Sequence, residues 1–157
     1  MLLQNRIRRA FTLVEILIVV IIMGVIATII IGLFNNTTSD AASGSLKDNL
    51  RAMRSAIQIY AAHHGTYPTG TSFEAQMTQY TDATGNTSPT QTGTHRFGPY
   101  ILQMPPLPVG LNRGKNTVTS TGYADGYGWQ YDPTTGDFRA NCQLTETDPD
   151  GNVYHTF

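Results

Sequence analysis

A single cysteine, Cys142, stands in the 157 residues, so no disulfide can close within the chain and neither a cysteine-built zinc site nor a redox pair can form. The thiol reads as a small buried residue. Charge is scarce too: Asp, Glu, Lys and Arg make up 13% of the chain. From Phe11 onward seven basic residues face eleven acidic ones, and beyond His63 four (Arg96, Arg113, Lys115, Arg139) face eight. Such a surface argues against nucleic acid as a partner, because phosphate binding rests on clustered Lys and Arg that release counterions. The one cationic spot, Arg113 and Lys115 between Asn112 and Asn116, reads as a solvated loop. Catalytic signatures are also missing. No serine occupies a Gly-x-Ser-x-Gly elbow, no glycine-rich phosphate loop occurs, and His95 and His155 lack metal-ligand spacing. His63 and His64 fall where a helix would end, and the helix dipole accounts for them. An enzyme is not expected.

What the chain does have is an unbroken apolar run from Phe11 to Phe34, containing one acid, Glu15, with Arg6, Arg8 and Arg9 just upstream. As a helix it reaches about 36 Å, enough to cross a hydrocarbon layer of about 30 Å with some tilt. Arginines flanking a spanning helix stay cytoplasmic, so the bulk of the chain lies outside. The run is longer than a secretory signal and ends in Gly32-Leu33-Phe34-Asn35-Asn36 without a small-residue cleavage site, so the helix is retained. An acid inside lipid costs about 2.5 to 3.5 kcal/mol on insertion scales. Glu15 therefore needs a partner.

Beyond a polar stretch, Asn35 to Asp40, Leu46, Leu50, Met53, Ile57 and Tyr60 recur at helical spacing on one face, with Lys47, Asp48, Arg51 and Arg54 largely on the other. Gly65 and Pro68 supply the stop. One long helix is predicted over Thr12 to Ala62, with a bend or loosening near Asn35. Thr69 to Gly98 looks too polar for much core, with a short helix at Ser72 to Tyr80. Phe97 to Pro108 is apolar but cut by four prolines, which predicts an extended segment packed on the helix. Tyr123 to Tyr131, the turn Asp132-Pro133-Thr134-Thr135-Gly136, and Asp137 to Asn141 predict a hairpin. The fold class is α+β: a long N-terminal helix against a small C-terminal antiparallel sheet with extended loops. The expected divisions are a leader 1–10, a transmembrane helix 11–34, an amphipathic helix 35–62 and an exported head 63–157.

The segment Arg8-Arg9-Ala10-Phe11-Thr12-Leu13-Val14-Glu15-Ile16-Leu17-Ile18-Val19-Val20 resembles the processing and methylation segment of type IV pilins and type II secretion pseudopilins. His63-His64-Gly65-Thr66-Tyr67-Pro68 resembles the loop after the long helix of pseudopilins, and Asp125 to Asn141 resembles the sheet of the major pseudopilins. The resemblance implies cleavage between Ala10 and Phe11 by a prepilin peptidase and N-methylation at Phe11. It also implies packing of the helix into a filament core, with Glu15 paired to the amino terminus of a neighbouring subunit. The partners implied are further copies of the chain, other pseudopilins, the peptidase, an inner-membrane assembly platform and the membrane itself. The location implied is the bacterial inner membrane, with the N-terminus cytoplasmic and the head periplasmic or extracellular. Two positions depart from the pattern. Ala10 stands where the family has glycine before the scissile bond, which puts efficient cleavage in doubt. Gly32, with Gly24 before it, stands where many pilins have proline. These glycines either let the helix extend locally or allow close helix packing.

Two candidate ligand sites lie in the head. Trp129, Tyr131 and Phe138 can stack on a sugar, but aromatics alternating in a hairpin are better read as the small core beneath it. Glu146-Thr147-Asp148-Pro149-Asp150-Gly151-Asn152 alternates oxygen donors around a glycine, making Asp148 and Asp150 candidate ligands for calcium, the one cofactor in view. Calcium near the C-terminal sheet is also what the resemblance implies; a polar turn with solvated acids is the plainer reading. Three functions remain open: a subunit of a secretion pseudopilus or related filament, an adhesive or uptake pilin, and a signal-anchored periplasmic binding protein that does not polymerise.

Overall fold

The computed structural model describes residues 12–157, and for residues 32–36 the backbone alone. The protein divides after Thr38 into two compact units, taken here in turn.

Helix α1 spans Leu13–His64 and contributes its first residues to the first unit. Thr12 caps it: the Glu15 N–H donates to Thr12 Oγ1 at 3.2 Å, and the Ile16 N–H reaches the Thr12 carbonyl at 3.3 Å. The run has no proline, and Thr28 Oγ1 donates to the Gly24 carbonyl at 2.9 Å, so this hydroxyl is satisfied within the helix. The helix is continuous in secondary structure through Asn35 to Gly44, where loosening was expected.

In the second unit, Leu46, Leu50, Met53, Ile57 and Tyr60 of α1 are all buried, as their spacing predicts. Each such side chain contributes about 1.5 to 3 kcal/mol on burial. Helix α2 (Phe73–Thr78) covers this face with Phe73 and Met77, and Met104 and Leu107 of the proline-rich stretch, with Val109 just after it, complete it without forming a strand. Strands β1 (Tyr80–Thr81) and β2 (Thr87–Ser88) pair antiparallel, and Thr81 also bridges to Phe97. The 69–98 stretch thus supplies Phe73, Gln76, Met77 and Thr81 to the buried interior, more than its polarity suggested.

The second sheet orders β3 (Val118–Thr119), β4 (Trp129–Asp132) and β5 (Asp137–Ala140). The predicted hairpin is β4 and β5, in register Trp129 to Ala140 and Tyr131 to Phe138. Two details differ from expectation. β3 joins parallel to β4, so the sheet is mixed. The first hairpin strand starts at Trp129 rather than near Tyr123, because the backbone of Ala124 and Tyr127 is turned onto the side chain of Asn141. Asn141 is fully buried, donating to those two carbonyls at 2.6 and 2.7 Å and accepting from Gln130 Nε2 at 3.0 Å. A short helical turn, Tyr154–Thr156, follows β5.

Arg54 does not stay on the solvent face. Its Nε donates to the Phe138 carbonyl at 3.1 Å and its Nη2 to the backbone oxygen of Phe157 at 2.5 Å. The long apolar stem of arginine lets the guanidinium reach from the edge of the buried stripe to these acceptors.

Candidate functional site

The first unit presents an apolar surface with one acid at its start. From Leu13 to Ile31 the helix has a mean hydropathy of 3.1 and no buried residue, with Leu13 at 85% exposure. Nineteen residues at this hydropathy suffice to cross a membrane by length and composition. Glu15 lies in the first turn of α1, where the helix dipole favours a negative charge. No salt bridge involving its carboxylate forms among the described residues. Thr12 and Glu15 stand three apart, the spacing of a capping box, and the Thr12 half of that motif is made. The Thr-x-x-Glu pattern at Thr12 and Glu15 is the local sequence signal for this cap. Ala10 and Phe11 lie outside the described residues.

The head offers no matching chemistry. Trp129, Tyr131 and Phe138 are 0, 2 and 0% exposed, and they stack into one aromatic core with Phe73. Tyr131 donates to the Pro68 carbonyl at 2.9 Å and Trp129 Nε1 to the Pro105 carbonyl at 2.8 Å, so both polar tips are spent inside. They are core and leave no face for a sugar. Cys142 is buried, and burial pushes its thiol pKa up to about 12, with Glu146 adding to the rise. It is an inert thiol.

His64 departs from the dipole explanation. Its ring stacks on Tyr60 at 4.1 Å between centroids, and its Nε2 lies 3.0 Å from Thr81 Oγ1 and 3.1 Å from the Tyr100 hydroxyl. Burial lowers its pKa, and neighbouring His63 lowers it further. It serves as a neutral polar joint between α1, β1 and the Tyr100 loop.

Asp148 and Asp150 come together in a tight turn, in which the Asp148 carboxylate accepts from N–H groups and Asp150 is exposed. Asp148 Oδ1 accepts from the backbone of Asp150 at 3.0 Å and of Asn152 at 2.7 Å, while Oδ2 accepts from Asn152 Nδ2 at 2.9 Å. The Asn152 side chain and these two backbone donors hold the Asp148 carboxyl below its usual range. Glu146 is used the same way, accepting from the N–H groups of Leu111 and Gln143, each at 2.6 Å. Among the described residues no group of three or more His, Cys, Asp or Glu side chains converges as a metal site would require. Calcium takes about six to eight oxygens, whereas here the Asp148 and Glu146 oxygens are turned onto N–H donors and no such cluster converges among the described residues.

The prokaryotic N-terminal methylation motif matches residues 5–31, the stretch that carries both Glu15 and the exposed apolar helix. The type II secretion system core protein G of Aeromonas hydrophila is 27% identical over 109 residues, covering 68% of this chain and 71% of that protein. Both likenesses support the resemblance to type IV pilins and type II secretion pseudopilins. No solved structure matches. The motif lies on the apolar helix, and the α+β fold is consistent with a pilin-like protein.

Proposed function

We propose that this pilin-like chain is a structural subunit of a type II secretion pseudopilus or related filament. It is made with a leader of residues 1–10, cut between Ala10 and Phe11 by a prepilin peptidase, and methylated on the new amino group of Phe11. Residues 11–34 hold it in the inner membrane with the leader cytoplasmic and the head, residues 63–157, outside; residues 35–62 carry the helix into the head. An assembly platform then moves the subunit from lipid into a fibre, where apolar helices pack on one another beside other pseudopilins. The Glu15 carboxylate meets the amino group of an adjacent copy, so a charge that is costly alone in lipid is neutralised in one register only.

The observation that carries this reading is a wholly exposed span, Leu13–Ile31, with one acid in its first turn, inside a matched methylation motif. Intact-mass and N-terminal analysis of protein from its native membrane tests it. A chain beginning at methylated Phe11 is the expected result, and an intact Met1 terminus overturns processing. Glu15→Ala is expected to insert normally yet form few fibres. Normal fibre formation by that variant removes the role given to the carboxylate, and an uncut, monomeric protein points instead to an anchored binding protein.

A further inference from the structure

The 146–157 segment is held down by positive charge that comes from the protein itself. Lys47 Nζ sits 4.5 Å from the centre of the Phe157 ring, a cation–π contact, and Arg54 of the same helix face binds the Phe157 backbone oxygen at 2.5 Å. Tyr154 is buried and stacks edge-on with Phe157. The turn that delivers this segment closes on itself: Thr147 bridges to Val153, the Asp148 N–H reaches the Asn152 carbonyl at 2.9 Å, and the Gly151 N–H reaches the Asp148 carbonyl at 3.0 Å. Lys47 also lies within electrostatic reach of Asp148. Five N–H donors, two on Glu146 and three on Asp148, occupy the carboxylate oxygens of this loop, and Asp150 is left exposed.

We infer that residues 146–157 are fastened to the head without a divalent cation, Lys47 and Arg54 holding Phe157 by its ring and backbone oxygen while N–H donors engage the Asp148 and Glu146 carboxylates. Donor orientation points the same way. Asn152 turns its Nδ2 toward Asp148, and a loop built for a hard cation would direct its amide oxygens inward instead. The fastening does not rest on the filament reading, since every contact lies within the second unit.

Hydrogen exchange of the full-length chain in detergent, read over residues 146–157, tests this. Exchange is expected to be the same in chelator and in excess calcium chloride, and titration of calcium chloride is expected to show no saturable binding. The Lys47→Met, Arg54→Met double variant is expected to exchange about tenfold faster there, the loss of a charged hydrogen bond and its neighbour. Lys47→Met alone, at an exposed position, should give a smaller acceleration while the near-ultraviolet signal of Trp129 stays native. Faster exchange in chelator that calcium but not magnesium reverses overturns the inference. So does unchanged exchange in the double variant.

Discussion

Glu74 Oε1 accepts a hydrogen bond from the Val118 N–H at 3.1 Å, so a carboxylate from α2 closes the free edge of β3. At the opposite edge Arg54 does the same for the Phe138 carbonyl of β5. Open strand edges invite pairing with other chains, and closing them guards against it. Glu74→Ala should leave the thermal midpoint nearly unchanged, because an edge N–H freed at the surface is taken up by water. It should raise light scattering on prolonged warming. Scattering no different from the parent would mean the edge is guarded by something else.

Asn141 is the keystone of the loop before β4. Truncation in Asn141→Ala strands the Ala124 and Tyr127 carbonyls and the Gln130 amide together. A loss of about 3 kcal/mol is expected from unpaired buried groups and the cavity, read from urea unfolding. Asn141→Asp should also destabilise, since a carboxylate would face two carbonyl oxygens with no proton to share. A variant at parental stability would show that the loop holds its shape without the amide.

These two residues show where a single sequence stops being legible. The α1 face from Leu46 to Tyr60 and the Asp132 to Gly136 turn were readable because their patterns are local: helical spacing and turn chemistry repeat within a few residues. Asn141 and Arg54 were not, since what each contacts depends on where residues 124, 138 and 157 arrive. The apolar span and Glu15 were plain from composition alone. The Asp148 loop reads as a polar turn with calcium as an alternative because sequence shows only which oxygens are near, and the fold shows N–H groups facing those of Asp148 and Glu146.

His64 makes stability pH-dependent with a definite sign. Burial lowers its folded-state pKa beneath the ordinary histidine value of about 6.5, so below that value the unfolded chain binds the proton more readily. Stability from this residue is therefore full above about pH 6.5 and falls as pH drops from there through the folded pKa. Protonation also disturbs a joint in which Nε2 meets the hydroxyls of Thr81 and Tyr100, with Tyr60 and His63 alongside. The thermal midpoint should decline between neutral and mildly acid pH, and His64→Gln should flatten that slope. An equal slope in the variant would assign the dependence to other groups.

Gly136 closes the β4–β5 turn at φ 74°, and a Cβ placed there would lie 2.5 Å from the Tyr67 ring. Both facts oppose a side chain: the left-handed backbone strains any L-residue, and the ring is carbon that cannot be moved aside without opening the core beneath it. Gly136→Ala should cost about 2 kcal/mol. Tyr67→Ala in the same background separates the two causes. If it restores most of the loss relative to Tyr67→Ala alone, the clash dominates. If the penalty persists, backbone strain does, and the turn itself demands glycine. Circular dichroism melts of the four proteins give the coupling directly, and an additive outcome with no Gly136→Ala penalty would contradict the close packing of turn on ring.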